Sequence, residues 1–476
     1  MKKVFSIFLV LFFAFFVSFG QKFEEQKPFY ANGALYQTKS NIINIIQFKG
    51  DSASYDNVKE KSVKKNPNLF KINSSKGVLQ NKFVTHGTLL GSQSIIVASP
   101  ASEKYYLGIR NSYNFYDKNN VKICDSSGLK SYRIVEGDDK GNFNLIQNLK
   151  VDCSISIAYS SKETCLYILA YYIKAYDTLA YGVNTFKNNS STLIKLSTSG
   201  VLEKTWLVDS IFDNISILDE GVLLRANSIS KTNFTYTVNG TNYLRNNSTD
   251  KYLLDLPLAI LNPALNKITA HSIIKCSGGG QIFSDNKQIV GQFSYRDSIS
   301  FNGNFIKRFA DFQTHPMLVK FGINLDTLWA KSFYAHITIN NFMFQESKID
   351  FVLKTNNYLN NSYDNKPLSG LGYNNRIQLD GSGNLLRNYI LVLDSKALSI
   401  KLSENSNRYF MNLIFSDSIR VSDKVYYTLL GQSSYLFITY NEDSLSTKII
   451  NAANIDATEL TLFPNPTINK LNLRFP

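Results

Sequence analysis

The chain has 476 residues, of which 44% are hydrophobic and 18% charged, so it carries enough apolar material for a large core and too little charge for a disordered segment. Its formal charge of +14 comes mostly from lysines and arginines scattered among Asn and Ser; no nucleic-acid-binding module accompanies them, which excludes that class of function. With 28 Tyr and 33 Phe against four His and four Cys, the composition leans to β structure and leaves little for a metal centre.

At the start of the chain, residues 1–20 read MKKVFSIFLVLFFAFFVSFG. Lys2 and Lys3 precede an apolar run over 4–17, and Ser18-Phe19-Gly20 puts small residues at the two positions a signal peptidase inspects. The pattern predicts a cleaved signal peptide over 1–20, with Gln21 as the mature N-terminus. The run is short for a membrane span, and no later stretch reaches 18 apolar residues, so the mature chain is expected to have no transmembrane segment. Residues 21–40 are expected to form a lead-in strand.

From 41 to 452 a unit of about 60 residues recurs. Its closing strand–turn–strand is clearest at 69–83, 193–206, 318–331 and 376–386, with fainter copies at 132–147, 258–268 and 436–448. Taking the third hairpin position as a marker gives Lys71, Arg133, Lys195, Ile260, Lys320, Gln378 and Thr439, at successive spacings of 62, 62, 65, 60, 58 and 61. An apolar strand opens each unit, at 42–48, 105–109, 166–172, 221–226, 288–293, 349–354 and 408–415. Four antiparallel strands of about six residues fill such a unit, and stacking the units radially buries the face each sheet cannot bury alone. The expected fold is therefore all-β, a β-propeller of seven blades, the alternatives being a pair of β-sandwiches or an eightfold propeller with one copy unrecognised. Segments 317–333 and 193–208 resemble the bacterial surface β-propeller repeats in which Val-Lys-Phe/Tyr, a turn and Leu-x-Trp-x-Lys recur.

Within the repeats, Cys124, Cys153, Cys165 and Cys276 suit an oxidising compartment. Pairing Cys153 with Cys124 or Cys165 is the candidate disulfide, with buried thiols as the alternative. The cysteine spacing is not that of zinc ligands, and no metal or other cofactor is assigned. No His-Glu-x-x-His, Gly-x-Ser-x-Gly or P-loop pattern occurs, His315 and His336 read as structural histidines, and no catalytic residue is assigned. Adjacent carboxylates such as Asp138-Asp139 point to opposite faces of a strand, which does not suit a two-carboxylate glycosidase. The run 380–384, Asp-Gly-Ser-Gly-Asn, reads as a hairpin turn. The pairs Tyr105-Tyr106, Tyr171-Tyr172 and Tyr426-Tyr427 are read either as stacking surfaces for a ligand or as core. The basic cluster at 59–65 reads as solvated surface. Asp-(Ser/Thr)-aliphatic occurs at Asp51, Asp177, Asp209, Asp297, Asp326, Asp417 and Asp443; it resembles the O-glycosylation sequon of exported bacterial proteins and is equally a turn-to-strand entry.

The end of the chain, 459–476, reads ELTLFPNPTINKLNLRFP. In Leu462-Phe463-Pro464-Asn465-Pro466, two prolines fix φ around an Asn and make a rigid turn, and Leu471 and Leu473 alternate as in a following strand. This resembles the opening of the type A C-terminal sorting domain of type IX secretion cargo. The resemblance implies that 453–476 is a linker and the beginning of a small β-sandwich-like sorting domain. It further implies the type IX secretion machinery as a partner, and an extracellular or outer-membrane-surface destination. The expected function is an exported binding or adhesion protein for a glycan or surface protein. The alternatives are an extracellular carbohydrate-active enzyme with a site at the channel mouth, or a structural surface protein without a small ligand.

Overall fold

The computed structural model describes residues 32–441 apart from connecting segments, of which those of five residues or more are 62–66, 88–93, 125–131, 172–190, 227–233, 246–253, 308–314, 356–361, 369–373, 403–407 and 428–432. The expected signal peptide and the 462–473 motif lie outside the described residues. Every regular element among the described residues is a β-strand, and no described helix is long and apolar enough to cross a membrane.

The strands form antiparallel meanders that each run in chain order from one edge to the other. Sheet 1 comprises Asn32–Gln37, Asn41–Gln47, Pro67–Ser74 and Leu79–His86; sheet 2 comprises Ser94–Ala98, Tyr105–Arg110, Tyr132–Gly137 and Phe143–Leu149. Sheet 3 is Ser154–Ser160, Cys165–Tyr171, Ser191–Ser197 and Leu202–Val208, and sheet 4 is Phe212–Leu218, Gly221–Ala226, Leu254–Leu261 and Ile268–Cys276. Sheet 5 is Gly280–Ser284, Ile289–Tyr295, His315–Phe321 and Thr327–Tyr334, and sheet 6 is Ile337–Gln345, Lys348–Thr355, Asn374–Asp380 and Leu385–Leu393. Sheet 7 has three described strands, Lys396–Leu402, Arg408–Ser416 and Ser433–Asn441.

First strands of successive sheets touch one another, 1 to 2, 2 to 3, 3 to 4 and 4 to 5. Sheets 5 and 6 meet where Phe283 stacks on Phe342, ring centroids 4.1 Å apart. The first strand of sheet 7 touches those of both sheet 6 and sheet 1. The contacts close a circle with first strands innermost, a β-propeller-like arrangement. Asn32–Gln37, inside the segment expected as a lead-in, is the first strand of sheet 1 and pairs with Asn41–Gln47.

Near the axis the sheets converge, and the first strands carry small residues such as Ser94, Ala98, Ser154, Ser156, Ala158, Ser216 and Gly280. Second strands are covered on both faces and read as nearly unbroken apolar runs: Asn41–Gln47 and Tyr105–Ile109 are buried throughout. Fourth strands alternate, as in Ile268–Cys276. Separate apolar layers fill the gaps between sheets 1 and 2, 2 and 3, 3 and 4, 4 and 5, and 5 and 6. Each buried Leu, Ile or Phe there contributes roughly 1.5–3 kcal/mol.

The apolar strands expected to open each unit are the second strands of their sheets, each preceded by a first strand. A second difference concerns the polar middles, which carry further hairpins. Phe115–Tyr116 with Lys122–Cys124, Ser298–Phe301 with Asn304–Lys307, Ser362–Tyr363 with Lys366–Pro367, and Ser418–Val421 with Lys424–Tyr427 each join the fourth strand of the preceding sheet. There they fill the gap that widens towards the periphery. Phe115 meets Phe143 edge-on at 5.2 Å, Phe301 meets Phe293 at 5.9 Å, and Tyr363 lies 4.7 Å from Phe333. The serines of the Asp-Ser sequences at 297 and 417, Ser298 and Ser418, are the first residues of two such hairpins.

Third–fourth turns share one chemistry. In sheets 2, 3 and 6 the fourth turn residue is Gly141, Gly200 or Gly383, with φ of +80°, +86° and +79°. In each, its N–H donates to the carbonyl of the first turn residue. That first residue also caps the turn: Asp380 Oδ1 accepts the N–H groups of Ser382 (2.9 Å) and Asn384 (2.8 Å), as Asp138 does for Lys140 and Asn142. The 380–384 hairpin turn is thus as expected. Hydrogen bonds from the Asn384 backbone and side chain hold the Asp380 carboxyl below its ordinary pKa, with the Ser382 N–H assisting against desolvation.

Candidate binding face

In an antiparallel meander the first–second and third–fourth turns fall at one end, and the second–third connections fall at the other. At the first end the sheets are tied by side chains of fourth strands that donate to the next sheet's turn. Asn81 reaches the Asp139 carbonyl (2.8 Å), Gln147 that of Gly200 (3.1 Å), and Trp329 that of Gly381 (3.0 Å), while Lys204 reaches Ala264. The charged cluster at this end is also internally satisfied. Glu163 accepts the Tyr167 hydroxyl and the Lys195 ammonium (2.7 Å), and Glu203 lies 3.5 Å from Lys195. Burial first, and then the hydrogen bond to Glu163, push the Tyr167 hydroxyl well above its usual range. These groups hold the sheets together and leave little to offer a ligand.

The inner wall differs. Ser154, Ser156, Asn214 and Ser216 are half-buried and Gln281 is exposed, although all five lie on innermost strands. Each presents hydroxyl or amide groups that both donate and accept. The first strands of sheets 2 to 5 carry one charged residue, Asp213. It stands near Arg225, whose Nη1 donates to the Gly280 carbonyl at 2.9 Å across the sheet 4–sheet 5 boundary. Burial lowers the Arg225 pKa, against the charges of Asp213 and Tyr171. Across sheets 2 to 5, then, the first strands offer neutral hydrogen-bonding groups with one buried charge, Asp213.

The residues singled out by sequence fall as follows. Cys124, Cys153, Cys165 and Cys276 are buried thiols in no disulfide. This corrects the expected staple: each cysteine sits in a different apolar layer, between sheets 1 and 2, 2 and 3, 3 and 4, and 4 and 5 respectively. Burial pushes the thiols of Cys124 and Cys165 up to about 12. Tyr105 and Tyr106 are core, Tyr105 donating to the Asp138 carbonyl at 3.2 Å; Tyr171 is half-buried, and Tyr172 lies outside the described residues. Buried His315 packs beside Tyr295, His271 has its pKa lowered by burial, and His336 lies outside the described residues. The sorting-motif residues Leu462, Phe463, Pro464, Asn465, Pro466, Leu471 and Leu473 also lie outside them. The wall residues escaped the sequence reading. Their only trace is the Ser-Ile-Ser-Ile alternation at 154–157.

No family model matches the chain, and no curated protein matches it in sequence. Among solved structures it is similar to acylaminoacyl peptidase of Pyrococcus horikoshii in its orthorhombic crystal form, at a TM-score of 0.33 and 10% identity over 82% of this chain and 58% of that one. The uncomplexed enzyme gives 0.30 and 9% over 69% and 58%, and BamB from Moraxella catarrhalis gives 0.27 and 9% over 68% and 94%. The chain therefore spans less than two thirds of the peptidase chains it resembles.

Proposed function

We propose that this chain is an exported seven-bladed β-propeller, delivered by the type IX secretion machinery to the cell surface or medium, where it acts as a binding or adhesion module for a glycan or surface protein. The observation that carries the binding reading is the neutral inner wall of Ser154, Ser156, Asn214, Ser216 and Gln281. Sugar hydroxyls are matched by groups of this kind, which donate and accept without the desolvation cost of a charge. Support for seven blades comes from the closed succession of sheets 1 to 7. Support for export comes from the leader at 1–20 and from the Leu-Phe-Pro-Asn-Pro motif.

The test is a glycan and host-matrix screen on the mature chain 21–476, with products read by mass spectrometry in the same wells. Saturable binding of unchanged ligand is expected. Asn214→Ala or Gln281→Ala should weaken it about 3- to 10-fold, the value of one hydrogen bond. Binding indifferent to both substitutions would move the site off the wall, and cleaved product would replace adhesion with catalysis.

A further inference from the structure

We infer that sheet 7 is the movable segment of the ring, docked on sheets 6 and 1 against buried polar faces that part without opening the apolar layers elsewhere. The first observation is the ion pair Asp350–Arg376, on the second and third strands of sheet 6. Arg376 Nε donates to Asp350 Oδ1 at 2.7 Å and its Nη2 to Oδ2, while Gln378 Nε2 donates to Oδ2 at 3.1 Å. Asp350 is 0% and Arg376 2% exposed, whereas both partners of every other described ion pair keep part of their surface in water. Ile349, Phe351, Leu353, Ile377 and Leu379 face sheet 5, so strand alternation turns Asp350, Arg376 and Gln378 to the opposite face, the one beside sheet 7.

The second observation comes from the other side of sheet 7. In sheet 1, Ile43, Ile45, Phe70 and Ile72 face sheet 2, and alternation turns Asn44, Lys71 and Asn73 towards sheet 7. All three are buried, and Asn44 and Lys71 are register partners. Parting two apolar faces exposes them to water at a cost that grows with their area. Charges and amides instead regain on opening the hydration they lost on docking, which is why a buried ion pair adds little net stability. Sheet 7 therefore has a weaker hold on both neighbours than sheets 1 to 6 have on one another. Once undocked, three strands have nothing to pack against, and their amides exchange. The inference rests on strand faces and burial and not on the binding reading.

Hydrogen exchange of the mature chain 21–476, read by mass spectrometry, tests this. Arg408–Ser416, the second strand of sheet 7, is expected to exchange at least about tenfold faster than its counterpart Cys165–Tyr171 in sheet 3. Arg376→Met leaves the Asp350 carboxylate buried without its cation and should speed Arg408–Ser416 by a further factor of about ten. The triple variant Asp350→Leu/Arg376→Met/Gln378→Leu makes the face apolar and should slow Arg408–Ser416 at least about threefold, with Cys165–Tyr171 unchanged in both variants. Equal exchange of the two strands in the unsubstituted chain would overturn the inference without any variant. So would a folded triple variant in which Arg408–Ser416 keeps its original rate.

Discussion

At the fourth position of the third–fourth turns, two solutions to one packing problem occur. Sheets 2, 3 and 6 place glycine there, and a large residue of the preceding sheet fills the space. A Cβ on Gly141 would meet the Phe83 ring at 3.0 Å, one on Gly200 the Ile146 side chain at 2.9 Å, and one on Gly383 the Trp329 ring at 2.8 Å. Sheets 4 and 5 instead force Leu265 and Leu325 to φ of +50° and +61°. There the leucine fills the gap itself, and Leu325 packs in one layer with the small Ala270. Gly383→Ala is expected to destabilise the protein by about 1–2 kcal/mol, the cost of a left-handed residue bearing a Cβ. Part of that loss should return in Gly383→Ala combined with Trp329→Phe, which yields the space; urea-unfolding midpoints of the two variants check it. The Lys320–Trp329 pair was legible as a motif, and the structure makes the two register partners that both donate to the Gly381 carbonyl. Lys71 and Arg133 were aligned with Lys320 by spacing, yet they face the other way. Strand alternation gives the face towards the following sheet to Ile72 and Ile134. Spacing alone loses the parity that decides a strand's face, because a one-residue offset in the alignment moves a marker to the opposite face.

Among elements, the inserted hairpins separate packing from decoration. Phe301 is buried between sheets 4 and 5, so Phe301→Ala should cost about 3–5 kcal/mol even though it lies in what the sequence presents as a polar loop. Val121 sits at the tip of the corresponding hairpin of sheet 2 and is 55% exposed; Val121→Ser should change stability by less than about 0.5 kcal/mol. Thermal unfolding of both variants measures the contrast, and equal effects would show that the hairpins do not wedge the sheets apart. The second and third strands were legible because burial on both faces makes them continuous apolar runs. The hairpins were not, since strands of two to five residues are too short to show a period. The inner wall was illegible for a related reason. It is assembled from single short strands of different sheets, and a small Ser or Asn in each carries no local signal.

Across the molecule, the four thiols mark four successive layers of the ring. At pH 8 they should be unreactive towards a thiol reagent in the native protein. In urea all four should become reactive with one midpoint, because a closed ring offers no free end from which to unravel, unlike an open repeat array. Separate midpoints for Cys124 and Cys276 would show that the layers open independently. The pH dependence follows from burial: Cys124 and Cys165 ionise near about 12 when folded, above the ordinary 9.0. Their contribution is complete below pH 9 and is lost as the pH rises towards 12.

The clasping of sheets 1, 4, 5 and 6 by a hairpin from the next repeat also sets a timetable for a chain that grows from its N-terminus. The outer strands of sheets 1, 4, 5 and 6 end 22 to 29 residues before the hairpins that cover them begin. A nascent chain therefore trails an uncovered strand edge behind each of these four sheets as it is finished, and those edges are natural points of attachment for a holding chaperone.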